Sequence, residues 1–241
     1  MIRVRNTIFS LTGLEPPKTD YLRWHLLDHM PEQYQLPGLV YALRYIADGD
    51  YPAARIAGEG PLAGIGNLVN YFIGEPVVRS HEEFLELGVR LAEAGRFPER
   101  RTPLGLRSLA LTHWYAAPSA LVSAEVIPMR PHRGIVLIIE EPTQDDVSPW
   151  LNWLHTEHIP AVLGVPGVAG AWQYSSSAYP ELHEAYLGDP QHATVIYLDE
   201  DPLETLKGLT PLLEQRWASG QARPLFAGPL RTPISWEAWP R

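Results

Sequence analysis

Residues 21–45 read YLRWHLLDHMPEQYQLPGLVYALRY, and residues 150–174 read WLNWLHTEHIPAVLGVPGVAGAWQY. A shift of 129 positions aligns them without a gap and gives eight identities in 25 pairs: Leu22/Leu151, Trp24/Trp153, His29/His158, Pro31/Pro160, Pro37/Pro166, Gly38/Gly167, Ala42/Ala171 and Tyr45/Tyr174. Chance at average residue frequencies gives about two, and rarely with tryptophan and histidine among them. Tyr51-Pro52 and Tyr179-Pro180 carry the match onward at an offset of 128. The chain reads as a duplication, so each element should be found twice.

Working outward, Val4 to Leu11 and Ile135 to Ile139 are β-branched runs ending at Gly13 and Pro142, the pattern of buried strands. A helix follows in each copy. In the first it spans about residues 18–34, starting near Thr19 or Asp20, with Leu22, Leu26 and His29 on one face. Pro37-Gly38 and Pro166-Gly167 stop the helices and launch strands Leu39–Ile46 and Val168–Tyr174. Third strands are expected at Leu68–Ile73 and Thr194–Leu198, and second helices at Glu82–Ala94 and Leu203–Trp217. Leu106–Trp114 and Leu230–Trp239, the latter interrupted by Pro233, complete a β-α-β-β-α-β order in each half, the ferredoxin-like split motif. The expected domains are 1–117 and 133–241, joined by a proline-containing linker, 118–132. One such unit covers only one sheet face with helices, so the other face must be buried elsewhere. The predicted fold class is α+β: two tandem ferredoxin-like domains packed sheet to sheet, with a pocket between the sheets.

Lys and Arg number 19 against 28 Asp and Glu, a net charge of −9, and 45% of residues are apolar. The balance argues against nucleic acid or an anionic membrane as partner, because both need a concentrated basic footprint. Cysteine is absent, which removes disulfides, thiolate metal sites and cysteine nucleophiles. The longest strongly apolar run, Ile135 to Ile139, is far short of the roughly 20 residues of a membrane span. The N-terminal stretch lacks a signal-peptide pattern, and a cytoplasmic location is the expectation. Gly58-Glu59-Gly60 with Gly64 fails the dinucleotide-binding spacing, and Ser175 to Ser177 is no nucleophile elbow. The glycines of the loop Asp48 to Gly66 resemble a mobile lid instead.

His29 and His158 are the first catalytic candidates, because imidazole takes and returns a proton near neutral pH; the alternative is that each caps a helix end. His25 with His29, and His155 with His158, have the spacing of metal pairs, but Asp28 and Glu157 lie on another helical face and no metal is expected. Tyr45 and Tyr174 could orient a substrate carbonyl or act as acids. Trp24 and Trp153 either anchor the core or contact substrate. Asn6, Arg44, Asn70 and His113 are polar residues in strand-like runs of the first half; Asn6 matches Ile135, Arg44 matches Gln173, and Asn70 falls near Ile196. They either line a pocket as substrate-binding groups or face away from it.

Tyr21-Leu22-Arg23-Trp24, His29-Met30-Pro31, Pro37-Gly38 and Tyr45, with Trp150-Leu151-Asn152-Trp153, His158-Ile159-Pro160, Pro166-Gly167 and Tyr174, resemble the EthD-like branch of the dimeric α+β barrel superfamily. The resemblance covers both halves and implies an intramolecular version of a barrel that relatives build from two chains. Relatives include isomerases, polyketide cyclases, cofactor-free monooxygenases, haem-degrading enzymes and chlorite dismutase. It implies a small-molecule enzyme without a tightly bound cofactor. Such an enzyme would act on an apolar oxygenated compound, aromatic, lactone or polyketide-like. His-assisted isomerisation, cyclisation or lyase chemistry leads, with cofactor-free oxygenation next. A non-catalytic binding protein is the runner-up and a haem protein a weaker third, while association of the tandem chain into a homodimer stays open.

Overall fold

The computed structural model describes residues 3–13, 18–97, 102–176, 179–183 and 191–234. The first half runs β1 (Asn6–Gly13), α1 (Lys18–Trp24), a π-helical turn (His25–His29), α2 (Met30–Gln33), β2 (Leu39–Ile46), the short β3 (Ala57–Gly58), β4 (Asn67–Ile73), α3 (Val77–Glu93) and β5 (Thr102–Ala116). The second runs β6 (Gly134–Pro142), α4 (Ser148–Trp153), another π-helical turn (Leu154–His158), α5 (Ile159–Leu163), β7 (Val168–Ser176), β8 (His192–Leu198), α6 (Pro202–Ala218) and β9 (Ala222–Arg231). Apart from β3, the order β-α-β-β-α-β occurs twice. The last strand lies earlier than the sequence suggests. β9 ends at Arg231, short of Pro233, whose ring nitrogen has no proton to donate to a ladder. Residues 235–239 of the expected strand lie outside the described residues.

Two compact units make up the chain: Met1–Arg44, Gly64–Ala110 and Ser176–Gly188 form unit 1, and Tyr45–Ala63, Leu111–Ser175 and Asp189–Arg241 form unit 2. In unit 1, β1 pairs antiparallel with β4 and β5. The register Ile8↔Tyr71 and Ser10↔Val69 assigns alternate residues to the face under the helices. There Ile8, Ala42, Val69, Tyr71 and Ile73 pack with Met30 and Phe84. Thr7, Phe9, Asn70 and Phe72 take the opposite face.

In unit 2, β6 pairs with β8 and β9, and β8 with β7. Val136, Ile138, Ala171 and Ile196 pack beneath Ile159 and Val162 of α5 and Leu206, Leu209 and Leu213 of α6. A charge pair is sealed into this layer. Arg216 of α6 and Glu140 of β6 are both 0% exposed. Arg216 Nε donates to both Glu140 oxygens at 3.1 Å, Nη2 donates to Glu140 Oε1 and to Thr194 Oγ1, and Trp217 Nε1 donates to Glu140 Oε2 at 2.8 Å.

The two π-helical turns occupy matched positions, 129 residues apart, and each ends two residues before a proline, Pro31 or Pro160. A proline ring inside a helix clashes with the carbonyl four residues back and removes one bond, and a widened turn relieves both. Met30 N–H accordingly bonds His25 O, and Ile159 N–H bonds Leu154 O. The helices then continue through Gln33 and Leu163. His29 and His158 are therefore interior residues, and the helix-cap reading of them is corrected.

The loop after β2 is held rather than free. Arg231 grips Asp48 through Nε and Nη2 at 2.9 and 2.8 Å, Ile56 N–H bonds Ala227 O, and Glu59 N–H bonds Leu225 O. Gly49 and Gly60 turn the chain at φ of 56° and 49°, where a side chain would be strained. In the counterpart loop, Tyr179 and Leu182 pack into the unit 1 core, while residues 184–190 lie outside the described residues. Among the described residues no helix is long and apolar enough to cross a membrane.

Removing one member of the sealed pair should destabilise strongly, because the remaining charge has no water to return to. Glu140→Gln is expected to lower unfolding free energy by about 3–5 kcal/mol in urea titration. Glu140→Leu combined with Arg216→Met should recover most of the loss.

Candidate active site

His25, His29 and Gln33 recur every four residues on the helix that covers unit 1 and stand together beneath it. The Gln33 amide donates from Nε2 to His29 Nε2 at 3.0 Å, and the Tyr71 hydroxyl meets His25 Nε2 at 3.0 Å. The widened turn brings residues five apart into line. Trp24 thereby stacks on the His29 ring with centroids 4.8 Å apart, and Phe97 approaches that ring at 5.0 Å.

Burial, then the Arg44 guanidinium and His29, hold His25 well below the usual imidazole range. Its ring is neutral near pH 7 and accepts the Tyr71 proton. Burial, then Tyr21, push the Tyr71 hydroxyl up, so it stays protonated. The His25–Tyr71 and His29–Gln33 pairs are thus two separate hydrogen bonds beneath the same helix, and Gln33, His29 and Tyr71 line one cavity. Gln33 Oε1 has no hydrogen-bond partner.

His29, Gln33 and Tyr71 form the polar edge of a cavity of about 390 Å³, lined otherwise chiefly by Leu11, Phe84, Leu85, Val89, Phe97 and Leu106. That size falls among small-molecule pockets, roughly 300–1,000 Å³. The cavity lies between sheet and helices of one unit, a place that an inter-sheet reading overlooks.

Arg44 points to the helix-covered face, 4% exposed, with Nη1 donating to Leu22 O at 3.2 Å and the guanidinium 5.5 Å from the Tyr21 ring centre. Its Nε and Nη2 have no hydrogen-bond partner, and no carboxylate pairs with it among the described residues. Burial lowers its pKa to about 10, so it remains a cation at neutral pH. It does not line the cavity; it stands behind Tyr71 and His25, close enough to shift both.

The remaining candidates are dispersed. Asn6, on the helix side, bonds Ser108, which in turn meets His81 Nε2 at 2.9 Å. Asn70 lies on the opposite face and bonds Thr7, so the two asparagines do not share a pocket. The pairs Phe9↔Asn70 and Ile138↔Thr194 also match Asn70 with Thr194 rather than Ile196. Tyr45 turns away from the helices and bonds His132 Nε2 at 2.7 Å. Trp153 packs 5.1 Å from His158. Tyr174 and His113 contribute to a second cavity of about 100 Å³ in unit 2, with Gln173, His155, His192, Thr194 and Arg216. There the His113 and His155 ring centres are 3.8 Å apart, and the Tyr115 hydroxyl bonds His155 Nδ1 at 2.8 Å.

His158 is 3% exposed, and its Nε2 has no hydrogen-bond partner. Burial, then Arg216, push its pKa down to about 3, so it is a poor base near pH 7. Haem ligation needs an imidazole nitrogen aimed into a cavity that admits a flat macrocycle. His29 Nε2 is bonded to Gln33, and His158 is not among the residues lining the unit 2 cavity, so neither of these two histidines is set to ligate a haem.

Gln33 and Tyr71 escaped the sequence reading. Gln33 was within reach of it: His25, His29 and Gln33 are polar at four-residue spacing where the second copy has Leu154, His158 and Val162. Nothing comparable marks Tyr71, which only strand pairing brings to the site.

A folded-state pKa below the unfolded one makes stability rise with pH, fully present above about 6.5 and lost as pH falls toward 3. Between pH 6.5 and 5, His158 should cost about 2 kcal/mol. Urea titrations at both values should show His158→Leu losing less stability on acidification than the parent chain. Equal slopes would assign the acid sensitivity elsewhere.

No protein-family model and no curated protein matches the sequence. Solved structures do match over nearly the whole chain. The chlorite dismutase-like protein TA0507 superposes with a TM-score of 0.61 at 12% identity, covering 97% of this chain and 96% of its own. An anthrone oxidase-like protein gives 0.60 at 10% identity, with 95% and 92% covered. A monooxygenase-like protein of Fusobacterium nucleatum gives 0.53 at 6% identity, with 98% and 95% covered. At such identities the likeness speaks for fold alone. The chain, by its α+β architecture and these full-length matches, has the fold of the dimeric α+β barrel superfamily.

Proposed function

We propose that this chain is a small-molecule enzyme of EthD-like type, a duplication of domains 1–117 and 133–241 about the linker 118–132, working in the cytoplasm without a tightly bound cofactor. Its site is the unit 1 cavity, and its substrate is an apolar oxygenated compound, aromatic, lactone or polyketide-like. The observation that carries the reading is a mainly apolar cavity of about 390 Å³ whose polar lining is His29, Gln33 and Tyr71, with Ser10 and Thr12 from β1.

His29 would exchange a proton with the substrate. The Gln33 amide can hold either neutral tautomer: its amino group donates to Nε2 as described, and turned over, its carbonyl accepts an Nε2 proton. The tautomer can thus change as a proton moves. Arg44, a buried cation with no carboxylate beside it, favours negative charge on that side of the cavity, as when an enolate or phenolate develops. It acts through Tyr71 and His25, as a positioning residue. Isomerisation, cyclisation, lyase chemistry and oxygenation of a carbanion all start from such a proton abstraction. The superfamily fold is compatible with each and selects none.

Mass spectrometry of compounds that co-purify with the chain supplies the test substrate. His29→Ala should lower kcat about 10²- to 10⁴-fold while the compound still binds. His158→Ala should keep kcat if it folds, and Arg44→Gln should fold normally with reduced kcat/KM. Full turnover in His29→Ala removes the catalytic reading. Binding without turnover in the parent chain would establish a carrier instead.

A further inference from the structure

The cavity of unit 2 has a different electrical character. Arg216 lines it and is 0% exposed; Glu140 and Thr194 take its Nε and Nη2, while Nη1 has no hydrogen-bond partner. Gln173 also lines it, 5% exposed, and its Oε1 likewise has no partner. Thr112 and His113 are the solvent-exposed residues at its rim. Buried donors and acceptors in folded proteins are nearly always satisfied, so an open donor and an open acceptor lining one cavity mark where a bound molecule completes the bonding. The space, about 100 Å³, exceeds the roughly 10–15 Å³ that one water requires.

Charge narrows the ligand class. Glu140 already neutralises Arg216, and its carboxylate would repel an anion placed against the same guanidinium. Burial holds His113, His155 and His192 below the usual imidazole range, so none adds a positive charge near pH 7. At the position matched to Gln173, the first copy has the uncompensated Arg44. The two sites thus differ in the sign of charge they tolerate.

We propose that unit 2 carries a second binding site, independent of the unit 1 reading, for a compact neutral molecule with an acceptor and an N–H or O–H donor side by side, the chemistry of a primary carboxamide. Its carbonyl oxygen accepts from Arg216 Nη1, and its N–H donates to Gln173 Oε1. Ligands enter past Thr112 and His113.

Acetamide and acetate, titrated separately into the full chain, test this, with the imidazole ¹⁵N signals of His155 and His192 as readout. Acetamide should give saturating shifts, with acetate at least about tenfold weaker. Gln173→Leu and the more flexible Gln173→Met should each weaken acetamide about five- to tenfold with unchanged thermal unfolding. His29→Ala should leave the titration untouched, so failure of the unit 1 reading would not register here. Non-saturating shifts, acetate binding as tightly as acetamide, or a folded Gln173 variant with parental affinity overturns the proposal and leaves a solvent-filled cavity.

Discussion

A positive charge taken out of water must be answered, and the two units answer it differently. In unit 2 the Arg216 guanidinium meets Glu140, with Thr194 and Trp217 adding one bond to each partner, so the pair between α6 and the sheet is neutral. In unit 1 Arg44 is nearly as enclosed, yet among the described residues it finds one carbonyl and an aromatic face. Burial first, and then that cation, keeps His25 neutral. A pair can be sealed in for structure. An unanswered cation is costly, and chains keep such groups where charge comes and goes.

The geometry that makes use of Arg44 originates in a backbone irregularity. A proline two residues beyond His29 widens the preceding turn, and the widened turn lays Trp24 on the imidazole. The same irregularity precedes Pro160, but there the helix carries Leu154 and Val162, and His158 is left in an apolar setting beside Arg216. One scaffold thus yields two hydrogen-bonded histidines in one unit and a muted histidine in the other.

The fold was legible because residues recur at a fixed offset: Trp24 and Trp153, His29 and His158, and the Pro-Gly pairs mark the same helix-to-strand passage twice. The site was legible only where it lay within one helix. His29 stood out, and Gln33 could have. Tyr71 is 38 positions beyond Gln33, and Arg216 is 76 beyond Glu140; such pairs are made by sheet register and helix packing, which no local pattern encodes. Asn70 was matched to the wrong partner because the offset falls from 129 at the first strands to 124 at Asn70 and Thr194, the intervening loops differing in length. For strand residues such as Arg44, alternation leaves two faces open, and only the contact with Leu22 chooses between them.

The loops that follow β2 and β7 carry a further implication. Residues 45–63 come from the first half of the chain but belong to unit 2, tied there through Asp48, Ile56 and Glu59, whereas residues 176–188 come from the second half and belong to unit 1, with Tyr179 and Leu182 in its core. Each unit thus includes a segment from the other half of the chain. A gene fragment cut between the repeats would encode two polypeptides, each lacking a piece of its own core or edge. Severing the chain between its halves would therefore cost both units at once, since neither half carries all the segments of the unit it mostly builds.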